Sequence, residues 1–263
     1  MKIAVIQFNA GSNKEQNVAR ALAFVEKAIV KGSKFILLPE VFVFRGCLDS
    51  KGVLSAVAET IKGSTIKTFS LIAKKNKVSI LAGSLYEKIQ SSKKVYNTSV
   101  LIGSDGKVSA KYRKINLFDA NVDGKRIRES KHFAAGTKTA LANVHGIKVG
   151  LSICFDLRYP ELYRKYSLEG AEILCVPSAF TMTTGKAHWE MLLRARAIEN
   201  KCFVLAPNQT GENSQGVLCY GNSMIVDPWG QILARASNNK EEIIYADINK
   251  EKVLQVKTIL GRK

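Results

Sequence analysis

The stretch Val149-Gly150-Leu151-Ser152-Ile153-Cys154-Phe155-Asp156-Leu157-Arg158-Tyr159-Pro160-Glu161-Leu162 passes from an apolar run, through a short polar turn, into a segment opened by proline. Proline suits the first turn of a helix, so the pattern predicts a strand–turn–helix unit with Cys154 at the strand's end. A cysteine placed there is presented by the turn, and the positive end of the following helix favours its thiolate. The backbone N–H of Phe155 is positioned to donate to a developing oxyanion. Most free cysteines are inert core residues, and Cys175 and Cys202, in apolar strands, read that way. Cys47 and Cys219 lie in loops, where nothing marks them.

Upstream, residues 2–8 alternate like a strand. Ser12 and Glu15 then make a capping-box pattern before a helix with Val18, Leu22, Val25 and Ile29 on one face and Gly32 just beyond its end. Lys34–Leu38 is a buried strand stopped by Pro39. Residues 51–76 read as helix broken near Gly63-Ser64. Strands follow at 78–84, 95–102 and 107–112, with Ser104-Asp105-Gly106 as a hairpin turn. Residues 119–138 lack clean periodicity and read as a long functional loop. Two strands bracket Gly146. Further on come a strand at 172–177, a helix at 186–200, strands at 202–206, 222–227 and 242–247, and the turn Asp227-Pro228-Trp229-Gly230. No linker, repeat or low-complexity tract interrupts the chain, so residues 1–263 are expected to form one α/β domain. Alternating and hairpin connections together argue against a purely parallel sheet and for a layered sandwich.

The 263 residues, 46% of them hydrophobic, suffice for one large core. No apolar run approaches the roughly 18–20 residues of a membrane helix, and the run after Lys2 is too short for a signal peptide. A cytosolic protein with no membrane partner is expected. Five widely spaced cysteines without a C-x-x-C pair disfavour a disulfide framework or zinc ribbon. His132, His145 and His188 lack metal-ligand spacing, so neither metal nor cofactor is expected. The net charge of +18 comes mostly from scattered lysines, with no arginine-rich helix or basic tail. It reads as a solubilising surface rather than a nucleic-acid interface, and it is compatible with an anionic substrate.

A thiol attacking an amide needs a base to take its proton and return it to the leaving amine. None of the histidines has the context of a cysteine-protease base. Glu40 follows Phe35-Ile36-Leu37-Leu38-Pro39 at the mouth of a buried strand, where desolvation suits a carboxylate to general-base work. Lys114 ends Ala110-Lys111-Tyr112-Arg113-Lys114, and an ammonium near the sulfur would favour thiolate and stabilise an oxyanion. Each alone reads as an ordinary surface charge.

Together, Leu37-Leu38-Pro39-Glu40, Tyr112-Arg113-Lys114 and Cys154-Phe155-Asp156-Leu157-Arg158-Tyr159-Pro160-Glu161-Leu162 resemble, in order and separation, the three catalytic signatures of the nitrilase, or carbon–nitrogen hydrolase, superfamily. The resemblance runs to about residue 250. It implies a four-layer α-β-β-α sandwich, commonly a homodimer formed through helices flanking the active site. It also implies Glu40 as base, Lys114 as oxyanion stabiliser and Cys154 as nucleophile, with ammonia released through a thioester. A second glutamate of the family matches Glu129, in Arg128-Glu129-Ser130, and gives the 119–138 loop a purpose.

The segment Pro177–Glu190 with Leu193–Asn200 is similar to the Nit branch, which contains deaminated-glutathione amidases and omega-amidases acting on 2-oxoglutaramate. Both substrates are anionic 2-oxo acids bearing an amide. Phe180, Met182 and Thr183 are the expected pocket wall. Within 186–200, Met191, Leu192, Ala195 and Ile198 share a packing face, with the arginines outward or at an interface. The chain departs from the branch at Asn116 and Asn222, where histidine is usual, and in its short end, Thr258–Lys263. An N-carbamoyl amidase with the same triad, or a non-catalytic binding protein on the same fold, are the alternatives.

Overall fold

The computed structural model describes residues 1–122 and 124–261, except the side chain of Lys125. Arg262 and Lys263, the last residues of the divergent C-terminal end, therefore lie outside the described residues. The first half of the chain runs β1 (Lys2–Gln7), α1 (Lys14–Val30), β2 (Phe35–Leu37), α2 (Val53–Val57), α3 (Ser64–Asn76), β3 (Ser79–Lys88), β4 (Val95–Ile102) and β5 (Val108–Arg113). A hairpin of β6 (Asp119–Val122) and β7 (Lys125–Arg128) follows. The second half runs β8 (Leu141–Val144), β9 (Ile147–Leu151), α4 (Pro160–Leu168), β10 (Ile173–Cys175), α5 (Met182–Thr184), α6 (Glu190–Asn200) and β11 (Phe203–Ala206). It ends with β12 (Thr210–Glu212), β13 (Leu218–Tyr220), β14 (Met224–Val226), β15 (Ile232–Arg235), β16 (Glu242–Asp247) and α7 (Lys250–Ile259).

Two six-stranded sheets carry the fold, ordered β16-β1-β2-β3-β4-β5 and β15-β14-β11-β10-β9-β8. In the first, β1, β2 and β3 are parallel and their flanks antiparallel. In the second, β9, β10 and β11 are parallel with antiparallel flanks. The two sheets thus share one order of strand directions, although no repeat is visible in the sequence.

Alternation along the strands sorts the core into layers. Ile3, Val5, Phe35, Leu37, Leu81 and Tyr112 face the second sheet and pack with Val149, Leu151, Leu174 and Leu205. Ala4, Ile6, Ile36, Ile80 and Val100 face the other way, onto Ala21, Val25, Ile66 and Phe69 of α1 and α3. Tyr163, Tyr166, Leu193 and Ala197 of α4 and α6 cover the far side of the second sheet. The result is the expected four-layer α-β-β-α sandwich.

Several local expectations shift. Asn13, not Ser12, caps α1, accepting from the Gln16 amide at 2.9 Å. The buried stripe of that helix is Asn17, Ala21, Val25 and Ala28, one residue off the expected face. Residues 119–128 are a hairpin rather than irregular loop. The helix expected to begin at 186 starts at Met182, widens to a π turn over Gly185–Trp189 and continues as α6. Its buried face is Leu193, Arg196, Ala197 and Asn200, while Met191 and Ile198 are exposed. Arg196 points inward because the Leu157 carbonyl accepts from its Nε and Nη2 at 3.1 and 2.8 Å.

The parallel strands end along one edge, where loops from both sheets meet. Gly83, in the irregular part of β3, lets the β2 end approach closely. A Cβ there would lie 1.9 Å from the Pro39 carbonyl oxygen and 2.2 Å from that of Leu38. Gly83→Ala is expected to cost about 2–3 kcal/mol through overpacking and to displace Glu40, lowering kcat more than stability explains. Urea unfolding beside steady-state kinetics checks this; unchanged kcat in a folded variant would break the link between Gly83 and Glu40.

Candidate active site

Glu40 lies three residues beyond β2, with only 3% of its surface exposed. One carboxylate oxygen accepts from Asn97 Nδ2 and Lys114 Nζ, both at 2.9 Å. The other accepts from the Ala179 amide at 2.8 Å. Its backbone is pinned as well: the Glu40 carbonyl accepts from Gln209 Nε2 at 2.8 Å, and the Val41 amide donates to Ser84 Oγ at 2.9 Å. Val41 stands at φ +46°, left-handed backbone that a β-branched residue rarely adopts.

The Tyr112-Arg113-Lys114 run follows strand alternation. The Tyr112 hydroxyl turns into the inter-sheet core and donates to Asp156 at 2.8 Å. Arg113 turns outward, forks onto Glu87 with two bonds of 2.7 Å, and lies over the Tyr96 ring. Lys114, 1% exposed, ends the strand with its ammonium 2.9 Å from both Glu40 and Glu129. Burial works against that charge, but Glu129 and Glu40 outweigh it and hold the lysine pKa well above the ordinary range. Glu129 opens a short 3-10 turn and also accepts from the Phe118 amide at 2.7 Å. Burial pushes its carboxyl up, against the pull of Lys114.

Cys154 begins a 3-10 turn, Cys154–Arg158, and α4 starts only at Pro160. Its backbone is left-handed, φ +47°, and its amide donates to the Pro177 carbonyl at 3.0 Å. Asp156 fixes this turn. Fully buried, it accepts from the Ile153 amide, the Tyr112 hydroxyl, and the backbone and side-chain N–H of Asn116. Asn116 thus supplies a side-chain donor at one of the positions where histidine is usual. Asn222, at the other, has left-handed backbone, φ +53°, which asparagine tolerates, and its side chain bonds the Tyr220 carbonyl and Arg235.

The helix end expected to favour thiolate at Cys154 is opposed by the surroundings of the sulfur. Burial, then the negative charge of Glu40, push the thiol well above its ordinary range, and Lys114 only partly opposes them. These influences favour the thiol over the thiolate at rest, so attack calls for a base. Cys154 alkylation by iodoacetamide is therefore expected to rise about tenfold per pH unit between pH 7 and 9, as thiolate does below its pKa. Peptide mapping would read this, and a plateau across that range would instead reveal a resting thiolate–lysine pair.

Glu40, Lys114, Glu129 and Cys154 line one cleft of about 650 Å³. Among the described residues, Phe155, Phe180, Met182 and Thr183 are not in its wall. Phe180 is buried against Trp189, ring centroids 4.9 Å apart, and Phe155 lies tilted against Phe118 and edge-on to Tyr159. Ala179 and Thr181 face the cleft from that loop instead. Cys219, unmarked in the sequence, also lines it, buried on β13 beside Arg45. Of the histidines, His132 lines the cleft paired with Asp49, His145 contacts the Lys34 carbonyl and His188 contacts Arg158. Sequence reasoning missed Asn97, Ala179, Gln209 and Arg45, which lie far from their partners along the chain.

A family model described as Carbon-nitrogen hydrolase matches residues 2–258. Omega-amidase NIT2 of Homo sapiens is 37% identical over 257 residues, 97% of this chain and 91% of that protein. Deaminated glutathione amidase of Synechocystis is 40% identical over 259 residues, 97% of this chain and 93% of that protein. Among solved structures, Nit3 of Saccharomyces cerevisiae, a member of branch 10 of the nitrilase superfamily, superposes with a TM-score of 0.88 at 33% identity. That match covers 99% of this chain and 94% of the yeast chain. The C. elegans NitFhit protein superposes with a TM-score of 0.90 at 37% identity over 98% of this chain. This chain spans only 63% of that longer protein.

Proposed function

This chain belongs to the carbon–nitrogen hydrolase family, and from that premise we propose that Cys154, Glu40 and Lys114 hydrolyse the amide of a small anionic 2-oxo acid. The observation that carries the reading is the buried Lys114 ammonium held 2.9 Å from both Glu40 and Glu129, in the cleft that Cys154 lines. Glu40 takes the thiol proton as the sulfur attacks the amide carbon. The Lys114 ammonium receives the charge that develops on oxygen. Glu40 returns the proton to the leaving nitrogen, and ammonia departs from a thioester. Water deprotonated by Glu40 then frees the acid and the thiol. Glu129 keeps the lysine charged and aimed, as a positioning residue.

The names of the relatives, omega-amidase and deaminated glutathione amidase, support deaminated glutathione or 2-oxoglutaramate as the substrate. The test is ammonia release from these two, an N-carbamoyl amino acid and a simple nitrile. Turnover of a 2-oxo amide is expected. Turnover of the carbamoyl compound alone would keep the triad and overturn the substrate.

We take residues 1–263 as one hydrolase domain, supported by the family match over 2–258. A homodimer through α4 and α6 is supported by the exposed Leu168, Met191 and Ile198 on those helices. Five cysteines with no disulfide among them support a cytoplasmic setting. Among the described residues no helix is long and apolar enough to cross a membrane.

A further inference from the structure

Three cations are buried among the described residues: Arg45, Lys114 and Arg196. Lys114 pairs with Glu40 and Glu129, and Arg196 with Glu199. Arg45, 5% exposed, has no carboxylate partner among the described residues, yet it lines the cleft. Its four terminal N–H groups go to neutral acceptors. Nη1 donates to Asn9 Oδ1 and the Thr210 carbonyl, both at 3.2 Å. Nη2 donates to the Val217 carbonyl at 3.3 Å and Cys219 Sγ at 3.0 Å. These bonds fix the plane of the guanidinium and leave its charge without a counterion. Holding an unpaired charge out of water is costly, and a fold that needed only a clip between loops could have used a neutral donor.

The position of Arg45 connects it to the reacting groups. It lies five residues after Glu40 in sequence, and both are tied to the same short segment. Gln209 Nε2 holds the Glu40 carbonyl, and the next residue, Thr210, accepts from Arg45. The cation therefore stands on the wall beside the base, separate from the Lys114 ammonium that the two glutamates occupy.

We propose that Arg45 is the specificity-determining residue of this cleft, supplying the missing half of an ion pair to a carboxylate at the end of the substrate remote from its amide. This rests on the amidase reading above and gives the anionic group of its substrate a fixed partner. The guanidinium is preorganised by its four neutral partners, so little side-chain freedom is lost when the carboxylate arrives.

The test compares wild type, Arg45→Gln and Arg45→Lys on glutaramate and on pentanamide, which has a methyl group where glutaramate has its carboxylate. Arg45→Gln is expected to lose roughly 10- to 100-fold in kcat/KM on glutaramate and under about threefold on pentanamide, the lower end of what a charge pair held out of water loses when one partner is removed. Arg45→Lys is expected to recover most of the preference. Equal losses on both amides in both variants would make Arg45 a clip for the β12–β13 hairpin and overturn the proposal, with the amidase reading intact. A wild-type preference for glutaramate below threefold overturns it without any variant, which covers a misfolded Arg45→Gln. If wild type cleaves neither amide, the amidase reading fails for these substrates and calorimetric titration with glutarate decides. Binding weakened by the same factor in Arg45→Gln upholds the cation site, and equal or absent binding overturns it.

Discussion

Replacing Cys154 by alanine is expected to lower amide hydrolysis by at least about 10⁴-fold while leaving the fold in place. No other group of the cleft can take its part. Cys219 also lines the cleft, but burial raises its thiol and its sulfur is engaged by the Arg45 guanidinium. Alanine keeps the backbone of residue 154 as demanding as cysteine does, because φ +47° is set by the surrounding turn and the Pro177 carbonyl, not by the sulfur. Removing one buried atom leaves a small void, so the stability change is within about 1 kcal/mol. Ammonia release and urea unfolding on the same preparation separate the two effects. A Cys154→Ala protein that retains activity within tenfold of wild type ends the thioester mechanism.

Lys114→Met is expected to remove activity and, unlike Cys154→Ala, to destabilise the protein by about 3 kcal/mol near pH 7. The reason is what it leaves behind. Glu40 and Glu129 each lie 2.9 Å from the lost ammonium, so without it two carboxylates face each other out of water. One of them then keeps its proton. A carboxyl whose pKa is raised by folding binds more protons folded than unfolded, so stability falls as pH rises from the ordinary carboxylate range toward the raised value. In the wild type the lysine pKa is raised, so its contribution is full below the ordinary lysine range and is lost only as pH climbs through the raised value. The gap between wild type and variant should therefore widen from pH 4.5 to pH 7.5. Urea midpoints at the two pH values measure it, and a constant gap would mean that the glutamates do not repel across the empty position.

The parts of this site legible in the sequence are those where local pattern and chemistry coincide. Leu37-Leu38-Pro39-Glu40 reads as a buried strand stopped by proline with a carboxylate at its mouth, and the structure places Glu40 there. Pro160 marks the start of α4, but not the 3-10 turn before it, so the helix-end field expected at Cys154 is displaced along the chain. The β6–β7 hairpin was missed because each of its strands is only four residues long, at the lower limit of a periodicity signal. The face of α6 was misread because Arg196 is buried by bonds to the Leu157 carbonyl, which hydrophobic periodicity cannot register. Asn97, Ala179 and Arg45 were silent for a different reason. Asn97 and the Ala179 amide meet Glu40 across 57 and 139 residues, and Arg45 meets Thr210 across 165, separations that no local window spans.

Val41 and Cys154, both in left-handed backbone beside the reacting groups, set terms for anyone engineering this scaffold. A screen for heat tolerance would find easy gains at such positions, because glycine or asparagine relaxes the chain there. Glycine at 41 would slacken the support of the proposed base, and any change at 154 would remove the proposed nucleophile. Laboratory evolution toward robustness and toward turnover would thus pull apart at these two residues. A thermostable descendant should keep both fixed and draw its improvements from the outer helices, where Val30 and Leu71 already stand in solvent.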